Sequence, residues 1–453
     1  MAFRLPLFKR TRAPEQAAKR VAADDLVWSW SPRSEREAGD AVVTNFLLHW
    51  FPSKASRRSL SAGYSLWLGT ISALLFFILI WTGIVLMFLY VPSVERAYQS
   101  IKDIEFVASY GRFLRALHRI AAHLMVAVVF LHMVRVFLSG AYKNGVMARQ
   151  SRPLNWWIGL AMLLTTLFLS FTGYLLPWDQ LAFWAITVGT NIARAVPLIG
   201  EQVRFFLLGG HEIDQNTLLR FYVLHCMFLP VALTGLFVWH MWRVRKDGGL
   251  ACDDQLALNQ QAEAAEPAAA KTYSLLGITS GRTASVQAAL VDEEKHQVCA
   301  VPILVRRVLI VGLLTFAVVA ALAVWLGSPL EEAANPLLTP NPAKAPWYFL
   351  WLQELVAVTT VHLGAFTING AFVGGILIPG ILLVWGILQP IIDKSQASAA
   401  GVWFHRQRRW HNVVFIVVCL AVLALTFIGT FMRGPYWQLY WPWQPWPAQP
   451  PQL

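Results

Sequence analysis

The sequence predicts an all-α integral membrane protein, a four-helix bundle followed by three further transmembrane helices. Three observations predict it. The chain of 453 residues is 57% hydrophobic and only 14% charged, with a mean hydropathy of +0.50, whereas soluble domains carry about 25% charge. Seven apolar runs are each long enough to cross about 30 Å of hydrocarbon. Two of those runs carry a pair of histidines at closely matching spacing.

In chain order, residues 1–60 are polar and basic, show no cleavable signal-peptide pattern, and include a short amphipathic stretch, DAVVTNFLLHWF, at 40–51. The first four spans are expected at about 64–91, 112–138, 154–176 and 220–244. Residues 61–245 are thus read as one four-helix domain. Residues 246–303 are rich in Ala, Gln and Glu and are read as a polar linker. Residues 304–453 form a three-helix part, with spans at about 304–327, 367–390 and 412–432, ending in a Trp- and Pro-rich tail.

Charge selects an orientation. The 1–60, 139–153, 241–307 and 391–412 segments hold 26 Lys and Arg, and the alternate loops hold 5. The positive-inside rule then puts the N-terminus in the cytoplasm and the C-terminus outside, across an inner (cytoplasmic) membrane. The net charge of +12 is explained by this loop bias and needs no nucleic acid as partner. The 21 Trp and 27 Phe suit aromatic belts at a lipid interface and packing around a cofactor. The four cysteines, Cys226, Cys252, Cys299 and Cys419, form no CxxC or CxxCH. That argues against a zinc site, a thiol redox motif and covalent c-type haem.

The histidines carry the chemistry. His118 and His132 lie fourteen apart in RFLRALHRIAAHLMVAVVFLHMVRVF, and His225 and His240 lie fifteen apart in RFYVLHCMFLPVALTGLFVWHMWRVR. On a helix, fourteen residues advance about 21 Å and return within about 40° of the same face, and fifteen within about 60°. Both segments run in the same direction, so His118 with His225 and His132 with His240 offer two ligand pairs, one near each side of the membrane. That arrangement suits two haems stacked across a bilayer, and an ionisable side chain in a membrane is costly and usually functional. His123 lies off the ligand face and is read as a hydrogen-bonded packing residue.

Gly69 and Gly83 on the first span, and Gly159 and Gly173 on the third, repeat the fourteen-residue spacing. They are read as places where backbone gives way to a haem face, beyond ordinary small-residue helix packing. Arg115, Arg119, Arg135 and Arg220 lie at the ends of the histidine segments. Guanidinium forks bind carboxylates, so Arg115, Arg135 and Arg220 are candidate partners for haem propionates, Arg115 and Arg220 being favoured by their closeness to His118 and His225.

The strings RALHR…LHMVRVFLSGAYK, FTGYLLPWDQLAFWA and LLRFYVLHCMFLP resemble cytochrome b of the quinol–cytochrome c oxidoreductases, the cytochrome bc complexes. The fifteen-residue spacing is similar to the plastid-type branch, and the last three spans resemble that branch's separate subunit IV, here fused. The resemblance covers 61–245 nearly throughout. It implies two non-covalent, bis-histidine b-type haems: an outer, low-potential one on His118 and His225 and an inner, high-potential one on His132 and His240. It implies quinol oxidation at an outer pocket walled by Pro177 to Gln180 and the loop before the sixth span. Electrons would then divide between a Rieske iron–sulfur protein and an inner quinone site, with proton translocation. The partners implied are the Rieske protein, a c-type cytochrome subunit, quinol and quinone (menaquinone among the candidates), membrane lipid, and a second copy of the complex.

Two departures stand out. Pro346 stands in Ala345-Pro346-Trp347-Tyr348 where the family's proton-accepting glutamate would be. The longer string NPAKAPWYFLWLQEL points instead to Glu354 as a desolvated acceptor, with Trp347 and Tyr348 lining the pocket and Asp179 as the weaker acceptor. Trp67 occupies the position where the plastid branch attaches an extra haem through cysteine, so no covalent haem is expected. The rival readings are a dihaem membrane anchor of a quinone-linked dehydrogenase without a Rieske partner, and a transporter with a histidine proton relay.

Overall fold

A computed structural model describes residues 54–56, 60–145, 152–246, 297–299, 303–364 and 366–445. Seven helices in it are long and apolar enough to cross a membrane. They are α1 (Leu68–Met87), α3 (Gly111–Ser139), α4 (Arg152–Leu175), α7 (Gln215–Arg245), α8 (Val305–Leu326), α10 (Gly370–Ile392) and α11 (Arg406–Phe431). Four shorter helices join them: α2 (Ala97–Phe106), α5 (Gln180–Arg194), α6 (Gly200–Leu208) and α9 (Trp347–Thr359). Each span lies within a few residues of its expected position, except that α7 begins at Gln215 instead of 220 and α11 at Arg406 instead of 412. Two short antiparallel pairs depart from the pure helical expectation: Lys54–Ser56 with Gln297–Cys299, and Val361–Leu363 with Phe366–Ile368. The 40–51 stretch, most of the linker and the last residues of the tail fall outside the described residues.

These segments are helices because they are apolar on all sides and can satisfy their backbone internally, which lipid requires. Their outward faces carry large apolar side chains, among them Phe77, Trp81, Leu313, Trp325 and Leu420. Hydroxyls inside the spans turn back on their own helix: Ser72 bonds the Leu68 carbonyl at 2.9 Å and Thr166 the Met162 carbonyl at 2.9 Å.

Within the first part, α1 packs against α3, α4 against α7, and α3 against α4, closing a four-helix bundle. Helix α8 lies against α1 and α3, α10 against α4, and α9 against α11. Asp179 caps α5 by accepting from the Ala182 N–H at 2.9 Å, and Asp214 opens α7 with a capping box. Gly140, at φ 66°, ends α3 in the left-handed conformation. A side chain there would meet Arg408, whose guanidinium bonds the Phe137 and Leu138 carbonyls at 2.6 and 3.2 Å.

Helix α7 is irregular where it matters. Leu224–Phe228 form one turn of π-helix, two residues ahead of Pro230. Proline has no N–H to give the preceding turn, and a π-bulge inserts one extra residue into an α-helix. The bulge contains His225 and runs on toward His240 as far as Phe228, and this local unwinding lets fifteen steps here do the work of fourteen.

Candidate haem-binding core

The four helices bring the four histidines together in two layers. The His118 and His225 rings have centroids 6.2 Å apart at 78°, and the His132 and His240 rings 6.5 Å apart at 82°. Two imidazoles binding one metal from opposite sides, with bonds of about 2.0–2.1 Å, put their ring centres about 6.4 Å apart. Both pairs therefore stand at the separation that one iron between them requires. Among the described residues no group of three or more His, Cys, Asp or Glu could hold a metal ion. Two protein ligands per site suit a haem, whose porphyrin supplies the other four.

The glycines complete each layer. A Cβ on Gly83 would lie 3.3 Å from Cε1 of His118, one on Gly69 3.2 Å from that of His132, one on Gly173 2.4 Å from that of His225, and one on Gly159 4.0 Å from that of His240. Each glycine thus backs one imidazole. The close approach that the spacing suggested is made to the ligand rings themselves.

Hydrogen bonding sets the tautomer in the His118–His225 layer. Thr82 donates its hydroxyl to the Ile78 carbonyl at 2.7 Å, so its oxygen accepts from Nδ1–H of His118 at 2.8 Å. Nδ1 of His225 donates to the Leu169 carbonyl at 3.0 Å. Both rings then carry the proton on Nδ1 and leave Nε2 bare to bind a metal. In the other layer, Nδ1 of His132 is buried without a partner among the described residues, and His240 has the Asn155 backbone beside it outside strict hydrogen-bond geometry.

Two family models match this chain, Cytochrome b/b6/petB over residues 52–248 and Cytochrome b(C-terminal)/b6/petD over 333–441. Cytochrome b6 of Heliobacterium modesticaldum is 39% identical over 181 residues, covering 40% of this chain and 82% of the relative. The menaquinol:cytochrome c reductase cytochrome b subunit of Bacillus subtilis is 42% identical over 168 residues, 37% of this chain and 72% of the relative. The chain belongs to the cytochrome b family. A solved hyperthermophilic respiratory Complex III chain has the same fold, at a TM-score of 0.60 and 23% identity over 83% of this chain and 86% of that one.

Against that family background, the arginines divide. Arg135 is buried over the Tyr64 ring at 5.0 Å, with its Nε unpartnered among the described residues. It remains available to an anionic group beside His132. Arg115 does not fit its expected role. It pairs with Glu105 at 2.8 Å and donates to the Ser328 and Pro329 carbonyls at 2.6 and 3.0 Å. Glu105 on α2 and the two carbonyls together take the terminal N–H groups that a propionate would use. Arg220 is also engaged elsewhere, on the Phe206 carbonyl and 5.7 Å over the Phe206 ring.

The region expected to wall a quinol pocket is assembled. Gln180 N–H donates to the Glu332 carbonyl at 2.8 Å, Ala334 N–H to the Trp178 carbonyl at 3.1 Å, and the Trp184 indole to the Leu338 carbonyl at 3.0 Å. Trp347 and Tyr348 open α9 beside α3. The Trp347 indole donates to Nδ1 of His123 at 2.9 Å, and the Tyr348 ring lies 5.7 Å from His123. His123 is therefore hydrogen-bonded, as the sequence suggested. Asp179 is spent on capping α5, and burial raises its carboxyl above the usual carboxylate range.

Glu354 is desolvated as expected, but it is also paired. Its side chain is fully buried, and it takes a bidentate fork from Arg433, 2.5 Å at the shortest, and a 3.0 Å bond from the Trp437 indole. Both oxygens are occupied, so the carboxylate ties α9 to the end of α11. Arg433, at the end of the last apolar run, was the overlooked signal.

A buried cluster at the other end of α3 was also missed. Asp393 accepts from Tyr142 at 2.6 Å, Lys143 at 2.9 Å and Arg408 at 3.0 Å. Burial alone would raise its carboxyl, but bonds from Ser395, Tyr142 and Lys143 hold it well below the usual range. These residues come from stretches 250 apart in sequence, a separation at which sequence pattern gives no sign of contact.

Proposed function

We propose that this chain is the cytochrome b subunit of a quinol–cytochrome c oxidoreductase, oxidising quinol at one face of the membrane and reducing quinone at the other. The observation that carries the reading is the pair of histidine layers at 6.2 and 6.5 Å, each ring backed by a glycine. In this reading His118 and His225 hold the outer haem and His132 and His240 the inner one. When bound, the haems supply one-electron carriers set one above the other across the bilayer. The chain's own part is to fix the ligand rings through Thr82 and Leu169, and to exclude water from the core. Arg135 offers its charge to an anionic edge of the inner haem. The outer pocket lies between the PWDQ segment and the start of α9, with Trp347 and Tyr348 on its wall. Residues 61–245 act as the haem-bearing domain and 304–453 as the part that completes the quinol pocket.

The oxidoreductase activity belongs to a complex whose Rieske protein and c-type cytochrome come from other chains, since this sequence has no motif for either centre. The N-terminus is cytoplasmic and the C-terminus outside, on the charge bias of the loops. Purification of the native complex with subunit identification and haem assay tests the reading. It expects two non-covalent b haems per chain and a co-purifying Rieske protein. Two haems with a soluble dehydrogenase and no Rieske protein would favour the anchor, and no haem would favour the transporter.

A further inference from the structure

We propose that His123 is a substrate-binding residue of the outer pocket, donating its Nε2–H to a ring oxygen of the bound quinol or quinone. The proposal rests on the reading of that pocket as the quinol site, and it assigns a residue outside the haem ligands and the Pro-Trp-Tyr string.

The tautomer follows from the partner. An indole N–H can only donate, so Nδ1 of His123, 2.9 Å from the Trp347 indole, must accept. It therefore carries no proton, and the neutral ring holds its proton on Nε2. This is the opposite tautomer from His118 and His225, whose Nδ1 atoms donate to Thr82 and Leu169. His123 is thus set up as a donor to a ligand and not as a metal ligand. Among the described residues no protein group takes its Nε2–H.

The neighbourhood suits an oxygen acceptor on an aromatic ring. Tyr348 meets the imidazole edge to face at 5.7 Å and 63°, and Trp347 meets Tyr348 at 5.4 Å and 83°. The nearby carboxylates are committed elsewhere, Glu354 to Arg433 and Asp179 to the start of α5. This wall of the pocket therefore presents donors and aromatic faces, which fit the oxygens and the flat ring of a quinone. Trp347 acts through His123 and is a positioning residue.

The test uses the purified native complex and a short-chain naphthoquinol, with its oxidation followed by absorbance. His123→Phe keeps a ring and removes both nitrogens. It should retain both haems and raise KM about tenfold, the usual worth of one lost hydrogen bond, with a smaller fall in kcat. His123→Gln can accept from Trp347 and still donate, and should recover most of the affinity. Trp347→Phe frees the tautomer and should raise KM by less than His123→Phe does. An unchanged KM in His123→Phe overturns the proposal and leaves the quinol site standing. A wild-type complex that oxidises no quinol overturns both. If His123→Phe does not retain its haems, the comparison moves to His123→Gln against His123→Met, and equal KM values for those two overturn the proposal.

Discussion

The two histidine layers are built alike and held differently. In the His118–His225 layer both Nδ1 atoms have protein acceptors, at 2.8 and 3.0 Å, and a Cβ on Gly173 would come within 2.4 Å of a ligand ring. In the His132–His240 layer Nδ1 of His132 has no partner among the described residues, His240 has only the looser contact of the Asn155 backbone, and the tightest glycine approach is 3.2 Å. The first layer is set by the chain before any ligand arrives. The second leaves more of its order to whatever binds between the rings, with the buried, unpartnered Nε of Arg135 close by. Outer-shell bonds to a ligating histidine fix its tautomer and raise its basicity, so the layers should differ in how substitutions act on them.

The largest expected effect is steric. Gly173→Val puts carbon where the His225 ring stands, inside the 2.4 Å approach. It should remove the haem of the His118–His225 layer and leave the other, halving the haem-to-protein ratio. Two haems retained in Gly173→Val would show that the ring has room the geometry does not give it.

Next in size is the buried ion pair on the pocket side. If Glu354 clamps α9 to the end of α11, Glu354→Gln and Arg433→Gln should lower quinol oxidation by similar factors, at least about tenfold, because breaking a buried pair is strongly destabilising. Both haems should remain. A large loss in Glu354→Gln with wild-type turnover in Arg433→Gln would instead make the carboxylate a proton acceptor.

A smaller effect is expected from the hydrogen bonds. Thr82→Val keeps the shape and removes the acceptor for His118, and should weaken retention of that haem about tenfold. Equal retention would mean that the Nδ1 bond is not part of the hold. The smallest is Gly159→Ala, whose methyl would sit 4.0 Å from the His240 ring in ordinary contact. It should leave both haems and their spectra unchanged, and loss of either would contradict the placement of that glycine.

Much of this was legible in the chain because membrane helices carry their signal locally. Apolar runs gave the seven spans and the histidine spacing gave both layers, while the glycines, expected against haem faces, stand beside the ligand rings. The roles of charged groups were not legible, since they depend on partners far away in sequence. Arg115 finds the Ser328 carbonyl, 213 residues on, and Glu354 finds Arg433, 79 residues on. The reason fifteen residues match fourteen was half visible. Pro230 marks the irregular turn, but only the backbone shows that it is a π-bulge with His225 inside it.

The central claim is that the histidines pair across helices α3 and α7, His118 with His225 and His132 with His240, one haem to each pair. The most direct measurement is the haem-to-protein ratio and reduced-minus-oxidised spectrum of His132→Ala in the purified complex. The expected result is one b haem per chain, the one held by His118 and His225, with its spectrum largely intact. Two haems per chain at full occupancy would contradict it.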